Sequence, residues 1–164
     1  MWYFDRRFFL TGLAGFVLAG CRFEPVYGPG GTGPALIGTV RADDPVSRAD
    51  FHFVAALEER LGRPVAPRYA LGYRIGQRRV ETGAIRGIGA SRIQLLGSLD
   101  FTLTESATGA EVARGRIEAE SAYSTTSTQL ATLAAAEDAE LRLMRMLADG
   151  LVTRLMTEPG LRGG

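Results

Sequence analysis

Apolar positions along this chain keep three rhythms in turn: an unbroken run, then an alternation, then a long helical stripe, with one shorter helical stripe before the alternation. The unbroken run, Phe8 to Ala19, is about 12 residues, whereas a membrane-spanning helix needs roughly 20. Leu36 to Arg41 reads as a short first strand, closed by Asp43-Asp44-Pro45. Ser47 and Asp50 have the spacing of a capping box. Phe51, Val54, Leu57 and Leu61 then share one helical face until Gly62 and Pro64 end it.

Between Tyr69 and Tyr123 the period falls to two. Tyr69, Leu71, Tyr73 and Ile75 form one apolar strand face, Ile93, Leu95, Leu99, Phe101 and Leu103 a second, and Ile117, Ala119 and Tyr123 a third. Glu105 to Ala110 is a turn that makes the last two strands an antiparallel hairpin, and Gly83 to Ser91 reads as a longer loop between the first two. From Gln129 to Thr157 there is no proline, and Leu130, Leu133, Leu141, Met144, Leu151 and Leu155 run along one side of a helix of about 43 Å. Gly150 marks a bend or a close contact in it, and Met144, Met146 and Met156 read as core filling. The order βαβββα predicts an α+β two-layer sandwich, two helices packed on one face of a four-stranded sheet, over residues 35–158, with 159–164 as a disordered tail.

The unbroken run gains meaning from its flanks. Arg6 and Arg7 precede it, and Leu18-Ala19-Gly20 leads from it to Cys21, the only cysteine. That order is a bacterial lipoprotein signal over residues 1–20, cut between Gly20 and Cys21, with Cys21 acylated. Arg6-Arg7-Phe8-Phe9-Leu10 also resembles the twin-arginine export motif, so both export routes stay open. Four glycines and two prolines in residues 28–34 make 21–34 a flexible tether.

Cleavage there leaves 144 residues, enough for one domain, with 17 arginines and 17 carboxylates. Without a basic excess a nucleic-acid role is unsupported. Nor is there a catalytic constellation: no Ser-His-Asp set at a nucleophile elbow, no metal-ligand cluster, no phosphate loop. His52, the lone histidine, reads as a surface or packing residue. A non-enzymatic protein without metal or cofactor is expected.

Cys21-Arg22-Phe23-Glu24-Pro25-Val26-Tyr27-Gly28, together with the βαβββα order and the Ala/Leu/Arg-rich final helix, resembles the LptE family of lipopolysaccharide-assembly lipoproteins in its alphaproteobacterial form. Arg22 stands where that form has Gly, and Val26 where it has Leu. The resemblance implies a protein held in the inner leaflet of the outer membrane by the lipid on Cys21, facing the periplasm and the lumen of the β-barrel LptD. It would plug and stabilise that barrel and assist lipopolysaccharide delivery. Arg22 rather than Asp after the cysteine agrees with outer-membrane sorting. Arg78, Arg79, Arg86 and Arg92, around the loop after the second strand, are candidate phosphate contacts, although a solvated charge run is the plainer reading of them. The competing function is a periplasmic lipoprotein that binds a lipid or small ligand for an ABC-type transporter. It calls for a hollow between helices and sheet, which Phe101, Tyr69, Tyr73 and several leucines should fill.

Overall fold

The computed structural model describes residues 32–85, 89–125 and 128–161. Strand β1 (Val40–Ala42), helix α1 (Arg48–Leu61), strands β2 (Tyr69–Ile85), β3 (Gly89–Glu105) and β4 (Glu111–Ser124) and helix α2 (Gln129–Met156) follow the expected βαβββα order. The sheet order is β1-β2-β3-β4, with β1 parallel to β2 and the other pairs antiparallel. Both helices pack on one face, and the two-layer α+β sandwich is the observed architecture.

Alternation decides which face. Tyr69, Leu71, Leu95, Leu99, Phe101, Leu103, Ala113 and Tyr123, all odd-numbered strand positions, are buried against the helices. The helix side is supplied by Phe53, Ala56, Leu57 and Leu61 of α1 and by Leu143, Met144, Leu147, Leu151 and Leu155 of α2. The capping box forms as read: the Asp50 amide donates to Ser47 Oγ at 3.1 Å and the Ser47 amide to Asp50 Oδ2 at 3.0 Å. Arg48 pairs with Glu137 at 3.2 Å and Arg60 with Asp149 at 2.7 Å, so α1 and α2 lie side by side and parallel. These exposed pairs set register more than stability.

Gly150 is a close contact rather than a bend. A Cβ there would sit 2.7 Å from Ile117 Cγ2, and one on Gly97 would sit 3.0 Å from Leu143 Cδ2. The two missing side chains let α2 lie directly on β3 and β4.

The structure corrects several sequence expectations. Thr32–Leu36 is a one-turn helix with Leu36 fully buried, so Leu36 does not begin the first strand, which starts at Val40. Phe51 is 61% exposed, and the buried α1 face is set by Phe53 instead, because Ala56 completes a stripe that a search for large residues passes over. Gly83 to Ser91 is not a long loop: β2 and β3 stay paired out to Ile85 and Gly89, since glycine blurs the side-chain period without removing backbone donors. Leu130 and Leu133 are exposed because the start of α2 extends past the level of Arg48, where α1 begins. Met146 is 46% exposed, not core filling, whereas Met144 is fully buried. Pro159–Leu161 forms a 3-10 turn with Leu161 buried, which carries order past the expected boundary at 158.

Gly150→Ala should lower stability by about 1 kcal/mol, because overpacking against branched Ile117, at about 1–3 kcal/mol, outweighs roughly 1 kcal/mol of helix propensity. Combined with Ile117→Ala, the loss in urea unfolding should be smaller than the sum of the two single losses. Tyr73 supplies a pH signature. Its ring lies against Phe53 at 5.0 Å between centroids, and its hydroxyl is buried with no hydrogen-bond partner among the described residues. Burial first, then the carboxylates of Asp50, Asp43 and Asp44, push its phenol from 10.0 up to about 12. Below pH 10 folded and unfolded chains both hold this proton. Between pH 10 and 12 only the unfolded chain releases it, so stability should fall across that window. Melting temperatures at pH 9 and 11 should show a smaller drop for Tyr73→Phe.

Candidate functional site

The even-numbered strand positions face away from both helices, and no element among the described residues covers them. The ladder registers arrange them in rows across the sheet. Gly72, Thr102 and Arg114 form one row and Arg74, Asp100 and Arg116 the next. Gly76, Ser98 and Glu118 follow, and then Arg78, Leu96 and Glu120. Thr82, Arg92 and Ser124 stand near the hairpin tip. Small residues in the middle rows leave an open trough of about 640 Å³, floored by Gly76 and Ser98 and walled by Arg78, Arg116, Glu118 and Glu120.

Part of the charge on this face is internally matched. Arg116 Nε lies 3.6 Å from both Asp100 and Glu118, and its Nη2 donates to Ser98 Oγ at 3.2 Å. Arg114 pairs with Glu111 at 2.6 Å. Arg74, Arg78 and Arg92 make no ion pair among the described residues, so this face offers solvated guanidinium groups beside a flat floor. Planar guanidinium donors suit anionic oxygens, phosphate included. At the β4 edge a second hollow of about 350 Å³ brings Arg92 near Arg142, which pairs with Asp138 at 2.6 Å and donates to the Ala122 carbonyl at 3.0 Å.

Residues 37–155 match the family model described as LptE, lipopolysaccharide-assembly. The chain belongs to the LptE family. Solved structures share the LptE-family fold. The chain is similar to a lipoprotein of Caulobacter crescentus CB15 at 23% identity and a TM-score of 0.67, covering 77% of this chain and 93% of that one. It is similar to the rare lipoprotein B of Shewanella oneidensis at 15% identity and a TM-score of 0.54, covering 71% and 91%. It is also similar to lipoprotein B of Nitrosomonas europaea at 11% identity and a TM-score of 0.54, covering 75% and 84%. No curated protein sequence matches the chain. A role in lipopolysaccharide assembly is what LptE membership supports. No helix among the described residues is long and apolar enough to cross a membrane, and none of their His, Cys, Asp and Glu side chains group as a metal site.

The four expected phosphate contacts of this LptE-family chain do not form one cluster. Arg78 and Arg92 share the open face, but their rows are four ladder positions apart, about 14 Å at 3.4 Å per residue. Arg79, one residue from Arg78, points to the opposite face of β2. Arg86 lies outside the described residues, as do Arg6, Arg7, Gly20 and Cys21. Sequence reading missed Arg74, Arg114, Arg116 and Arg142. The first three sit at even strand positions, a signal present in the alternation, whereas only the fold brings Arg142 beside Arg92. Arg78→Ala and Arg92→Ala should each change the unfolding free energy by less than about 0.5 kcal/mol. Arg116→Ala, which removes a shared exposed ion pair, should cost up to about 1 kcal/mol in the same denaturant titration.

Proposed function

We propose that this protein is an outer-membrane lipoprotein that docks in and stabilises an LptD-like β-barrel and assists lipopolysaccharide assembly at the cell surface. Acylation at Cys21 after cleavage behind Gly20 holds it in the inner leaflet. Export uses the region around Arg6 and Arg7. The observation that carries the reading is a well-filled core beside one broad, uncovered polar sheet face, in a chain whose family is lipopolysaccharide-assembly. A plug in an aqueous lumen needs such an outside, because barrel interiors are polar.

Among the exposed arginines, Arg78 and Arg92 are the proposed contacts for lipopolysaccharide phosphates, each meeting its own phosphate given their spacing. A ligand-carrying accessory protein of a transporter would need room between helices and sheet. Leu99, Leu143, Met144, Leu147 and Leu151 are all fully buried in that layer. This favours docking over carrying.

Extraction of outer membranes in mild detergent followed by affinity capture should recover a large β-barrel together with this chain. Recovery of an inner-membrane transporter without the barrel would overturn the docking reading. Arg78→Glu with Arg92→Glu should weaken retention on immobilised lipopolysaccharide by about tenfold or more, with a salt dependence smaller than that of the parent. Cys21→Ser should leave an unprocessed, unacylated precursor on a labelled-palmitate gel.

A further inference from the structure

Strand β4 is the outer edge of the sheet and pairs with β3 alone. Its two ends are occupied. Arg142 donates from outside the sheet to the Ala122 carbonyl at 3.0 Å, and the Pro159–Leu161 turn brings Gly160 against the Val112 carbonyl. Backbone groups alternate in an antiparallel ladder, so the even-numbered residues of β4 turn amide and carbonyl away from β3, as Ala122 does. Between the two ends lies a bare window from Arg114 to Glu120. Its outward residues, Arg114, Arg116, Glu118 and Glu120, are exposed and meet no further backbone among the described residues. Four successive outward positions thus carry two cations and then two anions. A row of free donors and acceptors at a sheet edge is a template for another strand.

We propose that this window pairs antiparallel with the same window of a second copy of the chain, with Ile117 on the two-fold axis. Charge complementarity selects both partner and register. Centred on Ile117, Arg114 faces the other copy's Glu120 and Arg116 its Glu118, and symmetry repeats both pairs. Gly115 faces Ala119, so small side chains flank the axis. A slip of one ladder step sets Arg116 opposite Arg116, or Glu118 opposite Glu118, and like charges directly opposed repel. A slip of a single residue sets outward backbone groups against inward ones. Arg114 already pairs with Glu111 at 2.6 Å, and Arg116 with Asp100 and Glu118 at 3.6 Å, but all of these pairs are exposed and exchange partners at little cost. Glu120 makes no ion pair among the described residues. The helix layer agrees. Met146 lies one turn after Arg142, on the flank of α2 that overhangs the β4 edge, and is 46% exposed. Joining the edges brings the two α2 flanks side by side and covers it. The product is one continuous sheet built from the four strands of each copy, with both uncovered polar faces on the same side. This inference is independent of the barrel reading, because it involves only this chain.

The test uses the mature acylated protein in a large excess of detergent micelles. Sedimentation at about 100 μM should show a dimer that dissociates as salt is raised to about 1 M, where screening is complete within roughly 3 Å. Hydrogen exchange of the Arg116, Glu118 and Glu120 amides should be about tenfold slower in that dimer than in a dilute sample, while the ladder amides of Ile117 and Ala119 stay protected in both. Arg114→Glu with Arg116→Glu, and separately Glu118→Arg with Glu120→Arg, should each give a monomer. Mixed together, these two variants should form a heterodimer, because every facing pair is again of opposite charge. A parent that stays monomeric would overturn the proposal. So would a dimer whose even-numbered β4 amides exchange as fast as in the monomer, a readout that needs no substitution and decides the matter where a variant unfolds. Folded charge variants that dimerise alone as well as the parent, or that ignore each other on mixing, would overturn it equally.

Discussion

Direct contact between α2 and the middle of the sheet sets the rest of this structure. Gly97 lets Leu143 settle onto β3, and Gly150 lets β4 press Ile117 against the helix backbone. With α2 seated that low, its leucines at 143, 147, 151 and 155 interlock with Leu95, Leu99 and Leu103 rather than standing off from them. Helix α1 then has one place left, beside α2 and above β2, where Phe53 meets Tyr73 and two ion pairs fix the parallel register. Dispersion at the close contacts is small per atom and large in sum. A methyl added at Gly97 would press on the Leu143 side chain, and one at Gly150 would force Ile117 to shift.

All helical cover is consequently on one side. The other side of three long strands stays wet, and its residues are free of packing duty. This is why arginines with no ion pair among the described residues can stand there: Arg74, Arg78 and Arg92 neither fill space nor complete a buried network. An antiparallel sheet with one solvated face is an ordinary structural solution, and polarity alone assigns no ligand to it. Family membership gives the face its context, a role in lipopolysaccharide assembly. Free edges are handled locally, as where Arg142 takes the Ala122 carbonyl on β4.

Much of this was legible in the sequence because period survives wherever side chains are large. Leu95, Leu99, Phe101 and Leu103 alternate cleanly, and the observed burial follows them residue by residue. The Ser47 and Asp50 cap was equally readable, since it is a purely local pair of hydrogen bonds. Reading failed where the informative residues were small. Ala56, Gly97 and the glycines near the hairpin tip carry little hydrophobic signal, yet they decide which face of α1 is buried and how far β2 and β3 run. Leu130 and Leu133 show the converse: helical spacing identified them, but burial depends on whether a second helix reaches that far. The arginines divided in the same way. Alternation alone separates Arg78 from Arg79, while the approach of Arg92 to Arg142 joins residues fifty positions apart and exists only once α2 is placed.

The long strands also separate two ends of the molecule. Thr32–Leu36, β1 and the 106–110 turn all lie at the end where β2 begins and β3 finishes. Arg78 lies nine residues along β2 from Tyr69, about 30 Å, and Arg92 pairs with Thr82 thirteen residues along, about 44 Å. Whatever is attached ahead of Thr32 therefore joins the domain at the end opposite Arg78 and Arg92 of the hairpin. The α1–α2 layer stiffens the first half of that distance, and beyond it the hairpin rests on α2 alone.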